Sequence, residues 1–324
     1  MKALALQKKA GSRAVTKLAR RKKRRPVDFP GDPLRRGADV SQRNHAPAAY
    51  CFFSPRGRSS LAMATGGNRR ARLVAVASPA VAATIVLAFG GPLPQDPEYH
   101  RFADMRAWSG IPNANDVLSN AVFAAAGSLG LAFLASARGR RRLPVSRIRL
   151  AYALFFAGVF LTAFGSAYYH WTPDNGRLFW DRLPMTLAFS SLFAAILGER
   201  VDPRLGGRSL LPLLILGAAS VLYWRWTEAA GHGDLRPYAV MQYGLIASLA
   251  LLLLLFPDPH SRGLGVVAAA YGLAKAFELL DVPIFRRTGV VSGHTLKHIA
   301  AGAASGLVLA MLVRRRPNEG GSND

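Results

Sequence analysis

The chain is almost without cysteine: Cys51 is the only one among 324 residues. A single thiol cannot close an intramolecular disulfide or build a Cys-based zinc site. Any metal bound by this chain must be held by histidine and carboxylate. Acidic residues are also scarce, 18 against 42 lysines and arginines, for a formal charge of +24. In a soluble protein that excess would point to nucleic acid or another polyanion. Here it is uneven, because residues 1–72 hold 19 of the basic residues and only 3 of the acidic ones. Beyond them, runs of about 20 residues with few charges recur, each long enough to cross a bilayer core about 30 Å thick. The composition therefore describes a polytopic membrane protein with a basic extension.

Residues 1–70 are rich in Arg, Pro, Gly and Ser, include the run Arg20 to Arg25, and carry no sustained apolar periodicity. They are expected to be disordered. A nucleic-acid tail, a targeting segment and no function compete for them. Without interleaved aromatics or a fold motif, no nucleic-acid partner is expected. Met63 offers an alternative start that would omit the first 62 residues.

Apolar runs predict eight helices, at 73–90, 115–136, 148–170, 180–198, 209–226, 237–256, 264–282 and 292–313. The first reads as a retained anchor or as a signal sequence; its length and the lack of a small-x-small end favour the anchor. Alternate loops carry most of the arginine (Arg69 to Arg72, Arg138 to Arg149, Arg200 to Arg208, Arg262, Arg314 to Arg316). These loops are expected in the cytoplasm, together with both termini and the 314–324 tail.

That orientation brings several polar residues to one depth on the opposite side of the membrane. Ser119 and Asn120 open the second span, Ser166 and His170 close the third, Asp181 opens the fourth, and His294 and His298 open the eighth. Residues four apart share a helix face, so His294 and His298 can offer two imidazoles to one point. They can equally be two polar residues on a packed face. His170 supplies a third nitrogen, and three protein ligands with an open position is the pattern of catalytic zinc. A hydrolase follows from that pattern.

Asp181 would then act as general base and acid, although Asp is also a preferred N-cap and Pro184 lies in the first turn of the expected helix. Ser166, one turn before His170, would hydrogen-bond a developing oxyanion or bond back to its own helix. Lys275, Glu278 and Asp281 are expected to form an ion pair among themselves, and Lys297 to snorkel towards the interface. His45, His100, His232 and His260 fall in loops or the extension and stay outside the expected site.

The motifs Gly165-Ser166-x-x-x-His170, Asp181-Arg182-Leu183-Pro184-Met185 and Gly293-His294-x-x-x-His298 resemble those of the alkaline ceramidases, in the CREST superfamily of membrane hydrolases. The segments Tyr99 to Asp104, Gly110 to Asn113 and Asp116 to Asn120 resemble bacterial ceramidase-domain proteins, so the resemblance covers about residues 99–313. It implies an all-α membrane bundle with a seven-helix catalytic core over 99–313, to which the 73–90 helix is an addition. It implies zinc on His170, His294 and His298, with Asp181 and Ser166 catalytic, and hydrolysis of a ceramide-like amide to a sphingoid base and a fatty acid. Eukaryotic ceramidases bind calcium through an acidic segment before the first core helix. Here only Asp104, Asn113 and Asp116 stand in that region, at a different spacing, and calcium is not expected.

Two other readings stay open: a receptor or transporter of the same fold, motivated by Lys275, Glu278 and Asp281, and a zinc amidase acting on an N-acyl lipid that is not a sphingolipid. The expected location is a bacterial inner membrane, with the site towards the outer face.

Overall fold

The computed structural model describes residues 69–258 and 263–315. The predicted disordered extension, Cys51 and nearly all of the C-terminal tail lie outside the described residues. Among the described residues the regular structure is helical, and the one strand-like pairing is an isolated bridge between Trp108 and Ile111.

Helix α1 spans Arg69–Ala88. Two helices, α2 (Ala114–Ser119) and α3 (Ala121–Ala135), follow one another across Asn120, and α4 is the short Ala137–Arg142. Three long helices come next: α5 (Ser146–Trp171), α6 (Asn175–Arg200) and α7 (Pro203–Ala229). Helix α8 (Arg236–Ala239) runs through a π-helical turn, Val240–Gly244, into α9 (Leu245–Leu255). The chain ends in α10 (Gly263–Leu279), α11 (Asp281–Thr288) and α12 (Gly293–Arg314).

Among the described residues, six segments are long and apolar enough to cross a membrane: α1, α2 with α3, α5, α7, α8 with α9, and α12. Helices α10 and α11 make a seventh if they count as one span bent by 75°. The expected span at 264–282 is therefore broken, because the chain turns at Leu280 and continues as a second helix. Helix α6, expected as a span over 180–198, is 26 residues long but is not among the six. Its buried Arg182, Thr186, Ser190 and Ser191 lower its apolar character, and it lies packed between α5 and α7.

Local chemistry explains where the helices begin. Asp174 caps α6 by accepting from the Arg177 amide, Asp202 caps α7 through the amides of Arg204 and Leu205, and Ser292 caps α12 through Thr295. Such oxygens satisfy amides that lack a partner in the first turn. Pro79 inside α1 cannot donate to the Ala75 carbonyl; the Ser78 hydroxyl donates to it instead, at 2.8 Å.

Small residues set the closest helix contacts, as expected where lipid gives helices little hydrophobic reason to associate. A Cβ on Gly127 would lie 2.6 Å from the Phe160 amide nitrogen, and one on Gly158 would lie 2.7 Å from that of Ala188. The interior is filled by Tyr152, Phe156, Ile196, Val308 and Leu312. Outside it, Val86, Leu129, Leu161, Phe164, Leu222, Leu254 and Leu273 are exposed. Such a surface is compatible with a membrane-spanning bundle.

The two ends of the bundle differ. At one, arginines reach helix-ending carbonyls: Arg69 to Val201 at 3.1 Å, Arg72 to Leu255 at 3.3 Å, Arg200 to Phe256, and Arg142 to Val313. Arg315 pairs with Glu199 there, with one oxygen at 2.8 Å. The last turn of α5 and the first turn of α12 lie at the other end, and there the histidines gather.

Candidate metal centre

His170 projects from the last turn of α5, and His294 and His298 from the first two turns of α12. All three are buried, and their available ring nitrogens lie within 4.8 Å of one another. The Nε2 atoms of His170 and His294 are 3.2 Å apart, and the three ring centroids are mutually 4.8 to 4.9 Å apart. Two nitrogens bound tetrahedrally to one ion, at bonds of about 2.0–2.1 Å, would sit about 3.4 Å apart. The three imidazoles are close enough to hold one metal ion.

The orientation of His298 fits that role. Its Nδ1 lies 2.8 Å from the Ser119 hydroxyl, which itself donates to the Asp116 carbonyl at 3.1 Å. With its proton given to that carbonyl, the serine oxygen accepts from Nδ1–H, which leaves the Nε2 lone pair facing the other two rings. Phe102 closes one side, its ring centroid 4.6 Å from that of His170 and 4.5 Å from that of His294.

Helix α12 is tethered at its start. Asp281 accepts from the His294 amide at 2.7 Å and from the Ala103 amide at 3.0 Å. Asp116 accepts from the Thr295 hydroxyl at 2.6 Å, and Asn113 donates to the His170 carbonyl at 2.8 Å. Gly293 lets this turn sit against α10 and α11, since a Cβ there would lie 2.2 Å from the Phe277 carbonyl oxygen.

Asp181 lies two turns inside α6, with Asp174 as the cap, so the N-cap reading of Asp181 is excluded. The Ser166 side chain on α5 lies beside its carboxyl group. A glycine makes that pairing possible: a Cβ on Gly165 would come within 2.1 Å of the Trp180 carbonyl oxygen. Ser166 is buried and one turn from His170.

Two expectations change. Asp281 does not join the ion pair of α10, because both of its oxygens are taken by backbone amides. Lys297 does not snorkel; its ammonium meets Glu278 at 3.1 Å, and Lys275 meets the same carboxylate at 2.7 Å. His100, although outside the three-ring cluster, is held near it by the Tyr169 hydroxyl and Asn175 Oδ1, both at 2.9 Å. His232 bonds the Ala230 carbonyl, while His45 and His260 lie outside the described residues.

Asp104, one of the residues considered above for calcium, is spoken for by a cation of the chain itself. Arg106 clamps it with bonds of 2.7 and 2.8 Å and continues to the carbonyls of Gly289 and Val290. That guanidinium, with Asn115, holds the Asp104 carboxyl below its usual range against the opposing effect of burial.

The roles of Ser119, Asp116, Thr295, Asp281 and Phe102 were not assigned from sequence. Only Ser119 gave a signal, through its depth beside the histidines. No protein-family model matches the chain and no curated protein matches it, so the likeness to the alkaline ceramidases rests on the quoted motifs.

Proposed function

We propose that this chain is a zinc-dependent intramembrane hydrolase that cleaves the amide of a ceramide-like N-acyl lipid to a fatty acid and a sphingoid amine. The observation that carries the reading is the meeting of His170 with His294 and His298 one turn from the Ser166–Asp181 pair. An all-nitrogen, neutral set of three imidazoles suits zinc. A bound zinc ion would supply Lewis acidity, polarising a carbonyl and making water acidic at neutral pH.

The chain's own residues supply proton traffic. Asp181 takes a proton from the attacking water as its oxygen bonds the amide carbon, and returns that proton to the nitrogen as the C–N bond breaks. Ser166 donates to the Asp181 carboxylate at rest. Once Asp181 is protonated, that hydroxyl is released to donate to the oxyanion. The exposed apolar surface around α3 and α5 offers the acyl chains a lipid route to the site.

In this reading residues 99–313 form a seven-helix catalytic core that includes α6 as a span, α1 is an added anchor, and residues 1–70 and 314–324 are appendages. The arginine-rich end faces the cytoplasm of a bacterial inner membrane, and the histidines lie towards the outer face. The test is to purify the full chain, measure its zinc, and assay fatty-acid release from a panel of N-acyl lipids. Near-stoichiometric zinc and release from ceramide that is lost in His298→Ala are expected. Metal-free protein, or an unchanged rate in His298→Ala, overturns the proposal. Zinc with activity on other N-acyl lipids alone would keep the amidase and remove the sphingolipid.

A further inference from the structure

At the end of the bundle opposite the histidines, the first turn of α5 and the first two turns of α7 build a cleft of about 470 Å³ lined by Arg147, Arg204, Gly207 and Arg208. It is an open depression, and all three arginines are exposed. Gly207 lets Arg147 cross from α5 to α7, because a Cβ there would lie 2.8 Å from Arg147 Cδ. Three guanidinium groups thus share one concavity, and among the described residues none of them makes an ion pair. Asp202 feels the charge of Arg204, but its Oδ1 is engaged by the Arg204 and Leu205 amides, at 2.8 and 3.0 Å, and one carboxylate leaves the three cations in excess. Like charges held together repel, so such a cleft favours an anion.

The surface beyond the arginines says which kind. Leu150 lies one turn from Arg147 along α5, and Leu211 and Ile215 lie one and two turns from Arg208 along α7; all three are more than half exposed. Cations at the helix starts with bare apolar side chains directly beneath match one molecule, a phosphodiester head with acyl tails. A free phosphate would account for the arginines and leave the apolar strip unexplained.

We propose that this cleft binds the headgroup of an anionic phospholipid, whose acyl chains lie along Leu150, Leu211 and Ile215. The lipid bridges α5 and α7 at the arginine-rich end, in the manner of basic pockets between membrane helices.

The test uses the full chain in neutral detergent with phosphatidylglycerol, phosphatidylcholine or inorganic phosphate, reading retained lipid by native mass spectrometry and protection against heat. Arg204→Gln/Arg208→Gln is compared with Arg138→Gln/Arg141→Gln, which removes the same charge from exposed positions outside the cleft. The parent and the control pair should retain one phosphatidylglycerol and no phosphatidylcholine. The cleft pair should lose affinity by about 25-fold, about fivefold for each arginine. Arg208→Gln alone should show the single step and serves if the pair does not fold. Equal losses in the two pairs would mean diffuse attraction and overturn the proposal. Protection by inorganic phosphate equal to that by the lipid would overturn it as well.

Discussion

In the proposed reading Ser119 supports a metal ligand and Asp181 moves protons, and each gives a separable prediction. Ser119→Ala removes the hydroxyl beside His298 Nδ1. The ring then loses the partner that fixes its tautomer. Metal affinity should fall about tenfold, at the low end for such supporting groups, as measured by competition with a chelator. Asp181→Asn keeps an oxygen that can accept from Ser166 but cannot carry a proton. It should leave bound metal unchanged and lower kcat by about 10²–10⁴-fold. Loss of metal together with activity would mean that Asp181 supports the histidines and does not move protons.

Between elements, the site depends on how closely α5, α6, α10 and α12 approach. Gly165→Val would drive side-chain carbon into the Trp180 carbonyl and force α5 and α6 apart where Ser166 meets Asp181. Overpacking of this kind costs about 1–3 kcal/mol. The variant should melt several degrees lower and lose activity beyond its loss of fold, checked by comparing specific activity with circular dichroism. Glu278 is the bridge between α10 and α12, with Lys275 and Lys297 on its two oxygens. Glu278→Gln leaves two partly buried ammonium groups without their carboxylate, a change worth about 3–5 kcal/mol where a buried pair is broken. Glu278→Gln should therefore be harder to purify folded than Ser119→Ala.

For the molecule as a whole, the loops at the histidine end are tied down by carboxylates that respond to acid. Arg236, outweighing the burial that opposes it, holds Asp234 down from the usual 3.8 to about 2. Asp234 also receives the Leu93 amide and the Tyr223 hydroxyl, and Asp104 is lowered in the same sense by Arg106. A carboxyl whose folded pKa lies below its unfolded value stabilises the fold fully above the unfolded value. That stability is lost as pH falls towards the folded value. The melting temperature in detergent should hold from pH 7 to about pH 5 and decline between about pH 4 and pH 2. In Asp234→Asn the part of that decline due to Asp234 should vanish, leaving a lower but flatter curve.

Length, charge and the spacing of apolar residues were enough to reveal an all-helical chain with several helices able to cross a membrane, because a bilayer demands long uncharged runs whatever they pack against. The same reading grouped His170, His294 and His298, two of them by helical spacing, because residues a turn apart share a face, and His170 by its depth. It read Asp181 as a possible cap because α6 begins a turn and a half earlier, at Asn175, on a polar segment with no apolar period to mark it. It missed the break at Leu280 for a related reason: a hydropathy run shows that a span exists but not where its axis turns. Only the tertiary structure decided the partners of Lys297, Asp281 and Ser119. Each of these residues is one of several polar groups near a helix end, and distances across the bundle select its partner. Those distances are set by Gly165, Gly293 and other contacts that join residues far apart along the chain.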